Sequence, residues 1–247
     1  MKKQKSDLYL AMLSRLAYER PMSFTTHLHL LNYPLEVFNL SLRNQYSKNK
    51  TALKYFEKNI SNVFYIRTGN YVYGYFIIIN NILYIVFRGS KSVLNWITNL
   101  TYEPSSKKYN KKYEKGFHNG YIKSYEQFIE KDVFKYLVKN RNKYSKIVLT
   151  GHSAGAAYSA ITAYKIAYFK KIKLPKSEII GFGCPRFCDH NLMKDFNKKV
   201  TNRFYVNDGD LVTKRPLGDF ADYKVYKKMK CGRILYRFPD LIDCHNI

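Results

Sequence analysis

Five consecutive residues, Gly151-His152-Ser153-Ala154-Gly155, constrain this chain more than any other stretch. The run before them, Lys146-Ile147-Val148-Leu149-Thr150, is short, apolar and β-branched, and reads as a buried strand. The run after them, 156–164, is alanine-rich and of good helix propensity. A strand that passes into a helix through G-x-S-x-G must turn so sharply that the backbone at the serine is strained. Glycines two before and two after it let strand and helix approach closely. The serine hydroxyl then stands clear of the sheet. The N–H of Ala154 opens a helix, where it can hold a developing negative charge. Ser153 is therefore the candidate nucleophile, against the plainer reading of a serine in an ordinary tight turn.

A serine hydroxyl is a weak nucleophile at neutral pH and needs a histidine to take its proton and an acid to orient that histidine. Around an elbow of this kind the partners follow in the order serine, acid, histidine. The stretch Phe204-Tyr205-Val206-Asn207-Asp208-Gly209-Asp210 offers two acids, Asp208 and Asp210, just beyond a strand. His27, His29, His118 and His190 precede Asp210, and His152 lies inside the elbow as a structural residue. Chain order leaves His245 as the base.

The rest of the pattern is that of an α/β protein. A helix is expected over 5–20, with Leu8, Met12, Leu13 and Leu16 on its buried face, and one or two more over 35–59. Strands are expected at Val63–Arg67, Tyr71–Ile79 and Ile82–Arg88, separated by Thr68-Gly69-Asn70 and Asn80-Asn81. Three strands with no helix between them predict antiparallel pairing. The segment 91–100 is short and amphipathic and carries the only tryptophan, Trp96, with Val93, Leu94, Ile97 and Leu100. It reads equally as a surface helix and as a cover able to expose its apolar face. A lysine-rich loop is expected over 101–115, and the stretch 117–140 is expected to contain a longer amphipathic helix. Tyr125, Phe128, Ile129, Val133, Tyr136 and Leu137 are its candidate buried positions. Beyond the elbow, a helix to about 171, strands at 178–183 and 203–207 and a helix near 191–199 alternate, which predicts a mostly parallel sheet with helices on both faces. Strand-like runs at 223–226 and 233–238 lead into the tail at 240–247.

Length suits one domain over residues 1–247. Hydrophobic content of 46% argues against disorder, and no apolar run nears the ~18 residues of a membrane span. Met1–Lys5 imitates the basic end of a signal peptide, but Ser14-Arg15 interrupts the apolar stretch after it and no cleavage site is evident. An intracellular address is therefore favoured over secretion. The formal charge of +25 is carried by lysines spread along the chain, with no nucleic-acid module, so nucleic acid is disfavoured. A solvated lysine surface is the leading account, and attraction to anionic lipid head groups the second. Cys184, Cys188, Cys231 and Cys244 have no metal spacing; Cys231 and Cys244 read either as a pair, if the protein is exported, or as free buried thiols.

With these residues in view, the chain resembles the class 3, fungal-type lipases from about Leu8 to His245. Phe87-Arg88-Gly89-Ser90 resembles that family's oxyanion strand, and 90–100 its lid. Phe117-His118-Asn119-Gly120-Tyr121 with Ser124-Tyr125 is similar to its His-x-Gly-Phe…Ser-Tyr segment. Gly181-Phe182-Gly183-Cys184-Pro185-Arg186 is similar to Thr-Phe-Gly-x-Pro-Arg. The run 206–216 resembles the acid motif and aligns Asp210 with the triad acid. The resemblance implies an α/β-hydrolase fold with a short helical lid at about 91–100. It also implies a Ser153-His245-Asp210 triad, an oxyanion hole from Ser90 and Ala154, and no metal or cofactor. The implied substrate is a glycerolipid ester of triacylglycerol type met at a lipid surface. The alternatives are phospholipase A-type activity on anionic lipids, or a lipase fold that binds a membrane or partner without catalysis. Asn99 stands where the family commonly has aspartate, and Ala154 and Ala156 where it often has leucine and glycine.

Overall fold

The computed structural model describes residues 2–18, 34–68, 71–90, 116–169 and 173–229. The expected lid with Val93, Leu94, Trp96 and Ile97, the loop at 101–115, the strand at 233–238 and the tail lie outside them. So do His27, His29, Asn99, Cys231, Cys244 and His245.

Three helices open the chain, α1 (Lys2–Leu16), α2 (Pro34–Tyr46) and α3 (Lys50–Asn59). Strands β1 (Val63–Thr68), β2 (Tyr71–Ile79) and β3 (Ile82–Phe87) come next as antiparallel neighbours. Asn80 and Asn81 join β2 to β3 with φ of 50° and 60°. That is the two-residue, doubly left-handed loop whose twist suits a hairpin, and asparagine tolerates it. Then come α4 (Asn119–Phe128), α5 (Glu130–Lys139), β4 (Lys146–His152), α6 (Ala154–Tyr168), β5 (Ser177–Phe182), α7 (His190–Lys199), β6 (Thr201–Asn207) and β7 (Val225–Met229). From β3 onward each strand pairs with the next in parallel, and the seven strands lie side by side in sequence order.

That order decides where the helices go. Right-handed crossovers that always add the next strand on the same side place their helices on one face. Residues of α4–α7 pack there with Phe76, Ile85, Phe87, Leu149 and Phe204. The opposite face would be bare, and α1–α3 cover it, packing on Tyr75, Ile77, Val86, Val148 and Ile180. Both faces of the central strands are thereby dry, as continuous apolar runs require.

Two expectations are corrected. Leu8 is 56% exposed, while Leu10, Met12, Leu13 and Leu16 are buried. The inward position at this end of α1 belongs to Asp7, whose carboxylate accepts from Arg203 Nη2 at 2.7 Å, Arg203 Nε at 3.1 Å and Tyr205 Oη at 2.6 Å. The longer helix expected within 117–140 is two helices meeting at Ile129. Tyr121, Tyr125, Ile129, Val133 and Leu137 form a strict four-residue row, each at most 1% exposed. On a straight 3.6-residue helix such a row drifts by about 40° per step, away from the sheet. The break at Ile129 (φ −121°, ψ −46°) brings the second half of the row back onto the core.

Candidate active site

Ser153 links β4 to α6 with φ 57° and ψ −130°. Asn80 and Asn81 are the other non-glycine residues with positive φ among the described residues. Holding a serine there costs on the order of 1–3 kcal/mol, so the surroundings must enforce it. They do so by close packing. A Cβ on Gly151 would lie 2.4 Å from the carbonyl carbon of Gly155, and one on Gly155 would lie 2.3 Å from the Phe87 carbonyl oxygen. Only glycine fits at either place. The Ser153 N–H donates to Phe182 O at 3.0 Å, and its side chain caps no N–H of α6.

The parallel register sets the second half of the surroundings of Ser153. Phe87 of β3 pairs with Gly151 of β4, so Ser90 and Ala154 each lie three residues past that pair, on the same rim of the sheet. Arg88 N–H donates to Tyr73 O at 2.8 Å, extending the ladder by one residue before the chain leaves the sheet. Arg88 is buried, with its guanidinium over the Tyr71 ring at 5.0 Å and Nη1 donating to Val72 O at 3.4 Å. Ala154 is the first residue of α6, where unpaired N–H groups and the helix dipole both favour negative charge.

Asp210 stands two strands away, about 10 Å at the usual strand spacing. It is 4% exposed and caps the short 3-10 turn Leu211–Lys214, its carboxylate accepting from Val212 N–H at 2.9 Å. Thr213 Oγ1 donates to the Asp210 carbonyl at 2.7 Å. Asp208, two residues earlier, is exposed, and its N–H donates to Met229 O at 2.7 Å. A cavity of about 210 Å³ lies against this corner, lined by Val206, Asp210, Thr213, Lys214, Tyr223 and Lys228 among others. Among the described residues no group of three His, Cys, Asp or Glu side chains could hold a metal.

Among the described residues, the other histidines and cysteines lie away from Ser153 and Asp210 in their bonding. His118 Nδ1 accepts from Gly120 N–H at 3.1 Å and so caps α4. His190 sits at the exposed start of α7, 3.9 Å from Asp219. Cys184 and Cys188 are free and buried, and burial pushes both thiols up, away from the reactive thiolate. Of the His-x-Gly-Phe…Ser-Tyr-like segment, Ser124 reaches the site's surroundings, 3.0 Å from Tyr158 Oη on α6.

One neighbour of the elbow escaped sequence reasoning. Tyr18, just past α1, places its hydroxyl 2.8 Å from His152 Nδ1. One helical turn earlier, Ser14 Oγ donates to Thr150 Oγ1 at 3.0 Å, since the Thr150 hydroxyl proton goes to Ile180 O at 2.7 Å. Two residues four apart, one in α1 and one in the turn that follows it, thus match i and i+2 of the strand beneath. The signal existed only as Ser14 and Tyr18 sharing a helix face, without anything to say what that face meets.

The family model Lipase (class 3) matches residues 84–220. The chloroplastic phospholipase A(1) DAD1 of Arabidopsis thaliana is 29% identical over 150 residues, 53% of this chain and 33% of the relative. The secreted mono- and diacylglycerol lipase A of Penicillium cyclopium is 26% identical over 140 residues, 56% of this chain and 44% of the relative. The chain therefore spans less than half the length of the curated relatives it matches. Among solved structures, Rhizomucor miehei triacylglyceride lipase superposes with a TM-score of 0.66 at 21% identity, covering 89% of this chain and 77% of that one. Lipase II from Rhizopus niveus gives 0.63 at 18%, covering 89% and 78%. At such identities the likeness is one of fold, the α/β-hydrolase fold of fungal lipases. Because the family match runs over more than half of the sequence, from within β3 to beyond Asp210, this chain belongs to the class 3 lipase family.

Proposed function

We propose that this protein is a serine carboxylic-ester hydrolase acting on glycerolipid esters, with Ser153 as nucleophile, His245 as base and Asp210 as the acid that orients the base. The observation that carries this reading is the strained backbone of Ser153 between β4 and the N-terminus of α6. Strain of that kind survives where the local packing overdetermines it, and it turns a hydroxyl outward from a sheet rim.

In the proposed reaction His245 takes the proton of the Ser153 hydroxyl as its oxygen attacks the ester carbonyl. The resulting oxyanion is held by the N–H of Ala154 and by Ser90, through its N–H and hydroxyl. Such donors contribute ~3–4 kcal/mol each when aimed at the developing charge. The protonated His245 then gives its proton to the leaving alcohol. Water, deprotonated by the same imidazole, releases the acid from the acyl-enzyme. Chain reach supports His245 in this role. β7 ends beside Asp208, and the 16 residues from 230 to 245 can extend roughly 50 Å, several times the distance back to Asp210. The apolar segment with Val93, Leu94, Trp96 and Ile97 is proposed as the lid that lies on lipid when open.

Hydrolysis of a short- and long-chain ester series by wild type, Ser153→Ala and His245→Ala tests the reading. Wild type is expected to turn over the series. Each variant is expected to lose activity by about 10⁴-fold or more. Wild type without turnover on any ester would sink it.

A second reading, phospholipase A-type activity on anionic lipid, has one observation in its favour, the formal charge of +25. The name of the Arabidopsis relative agrees with it. Electrostatic docking is screened by salt, whereas hydrophobic docking is not. A rate on anionic phospholipid vesicles that falls steeply with salt, beside a flat rate on triacylglycerol, would favour this reading.

A further inference from the structure

We propose that Tyr18 is a positioning residue that sets the width of the oxyanion hole. The inference rests on the functional reading above, and it concerns a residue of the α1 segment that contributes nothing to the triad.

Three groups meet at one point. Gly89, the residue before Ser90, packs so closely that a Cβ there would lie 2.5 Å from the His152 carbonyl oxygen and 2.0 Å from Tyr18 Oη. His152, the residue before Ser153, shares a hydrogen bond with Tyr18 Oη at 2.8 Å through Nδ1. The Tyr18 hydroxyl therefore fills the corner between the loop that carries Ser90 and the turn that carries Ser153 and Ala154. It touches the backbone of one and is bonded to the side chain of the other.

An oxyanion hole works only if its donors stand about 2.7–3.1 Å from where the oxyanion will be, so a shift of a few tenths of an ångström matters. Here the two donors come from different strands. β3 and β4 are hydrogen-bonded to each other only as far as the Phe87–Gly151 pair. Past that pair the sheet no longer fixes their separation, and the contact of Gly89 with His152 and Tyr18 takes over. Burial pushes the Tyr18 phenol up, with the nearby Arg88 charge opposing part of the rise. The phenol therefore stays protonated at neutral pH, and its hydroxyl remains in place beside His152 Nδ1.

The rest of α1 supplies a control. Ser14 meets Thr150 through a comparable buried hydrogen bond one turn away, on the strand rather than at Gly89 or His152. If Tyr18 merely helped α1 to dock, Ser14→Ala and Tyr18→Phe would behave alike.

The test is steady-state kinetics on a soluble p-nitrophenyl ester, with thermal unfolding followed for each variant. Tyr18→Phe is expected to lower kcat about tenfold or more with KM within twofold. His152→Gln is expected to lower kcat similarly, and the double variant to lose no more than the worse single one. Ser14→Ala is expected to keep kcat within twofold. Unchanged kcat in folded Tyr18→Phe would overturn the proposal, and so would equal kcat losses in Tyr18→Phe and Ser14→Ala. Should Tyr18→Phe fail to fold, unchanged kcat in folded His152→Gln would overturn it instead. Wild type that neither hydrolyses the ester nor reacts with a fluorophosphonate defeats the functional reading itself, which is a separate outcome.

Discussion

The two halves of the candidate site are built by different physics. On the nucleophile side, Ser153 is held by backbone against backbone. Gly151 meets Gly155, Gly155 meets Phe87, and Gly89 meets His152, each so closely that a single methyl group would collide. On the acid side, Asp210 is held by its own carboxylate capping a short turn, beside a cavity. The first arrangement is stiff and tolerates no added atom. The second depends on a few hydrogen bonds, and in the proposed mechanism on a histidine from a distant stretch. Damage to the first should therefore show as lost stability, and damage to the second as lost activity in a protein that still folds.

The largest effect is expected where that contrast is sharpest. Asp210→Asn should lower kcat by up to about 10⁴-fold through loss of the correct imidazole tautomer, with little change in melting temperature. Asp208→Asn should stay within twofold, because that side chain is exposed. Ester kinetics on the pair will tell, and a larger loss in Asp208→Asn would reassign the acid. Next in size is Gly155→Ala, expected to cost several kcal/mol in denaturant unfolding because its Cβ meets backbone on the facing strand. Gly218→Ala is the matched comparison, with φ of 96° but nothing within 4 Å of the added methyl, and should cost only about 1 kcal/mol. Equal costs would mean that packing around the elbow is slack. The smallest change in stability is expected for Ser153→Gly, which removes the proposed nucleophile yet should raise unfolding free energy by about 1 kcal/mol, as glycine relieves the positive φ of 57°. A loss of stability there would show that the serine is not strained.

Legibility in the sequence divides along the same line. The elbow was readable because its constraint is local: strand, G-x-S-x-G and helix are contiguous. Asn80-Asn81 was readable for the same reason, and the antiparallel trio β1–β3 with it. Asp208 and Asp210 were not separable by spacing, since two residues apart on a turn says nothing about which carboxylate turns inward. The resemblance to the family aligned Asp210 where spacing could not. The break at Ile129 was hidden because apolar periodicity gives the row of buried residues but not the phase correction that a flat sheet demands. Leu8 misled because its competitor for the buried position, Asp7, finds its partner Arg203 196 residues away. Tyr18 was invisible for the same reason, as His152 is 134 residues distant. Contacts made across the sheet by N-terminal helices leave no mark in local patterning.

The central claim is that one hydroxyl, set on a strained turn, performs the chemistry. Incubation of the intact protein with a fluorophosphonate, then peptide mass spectrometry, addresses it directly. The account requires a single adduct on Ser153, formed in step with loss of ester hydrolysis and absent in Ser153→Ala. Ester hydrolysis that persists with Ser153 fully modified, or an adduct on a different residue that tracks the loss, would contradict it.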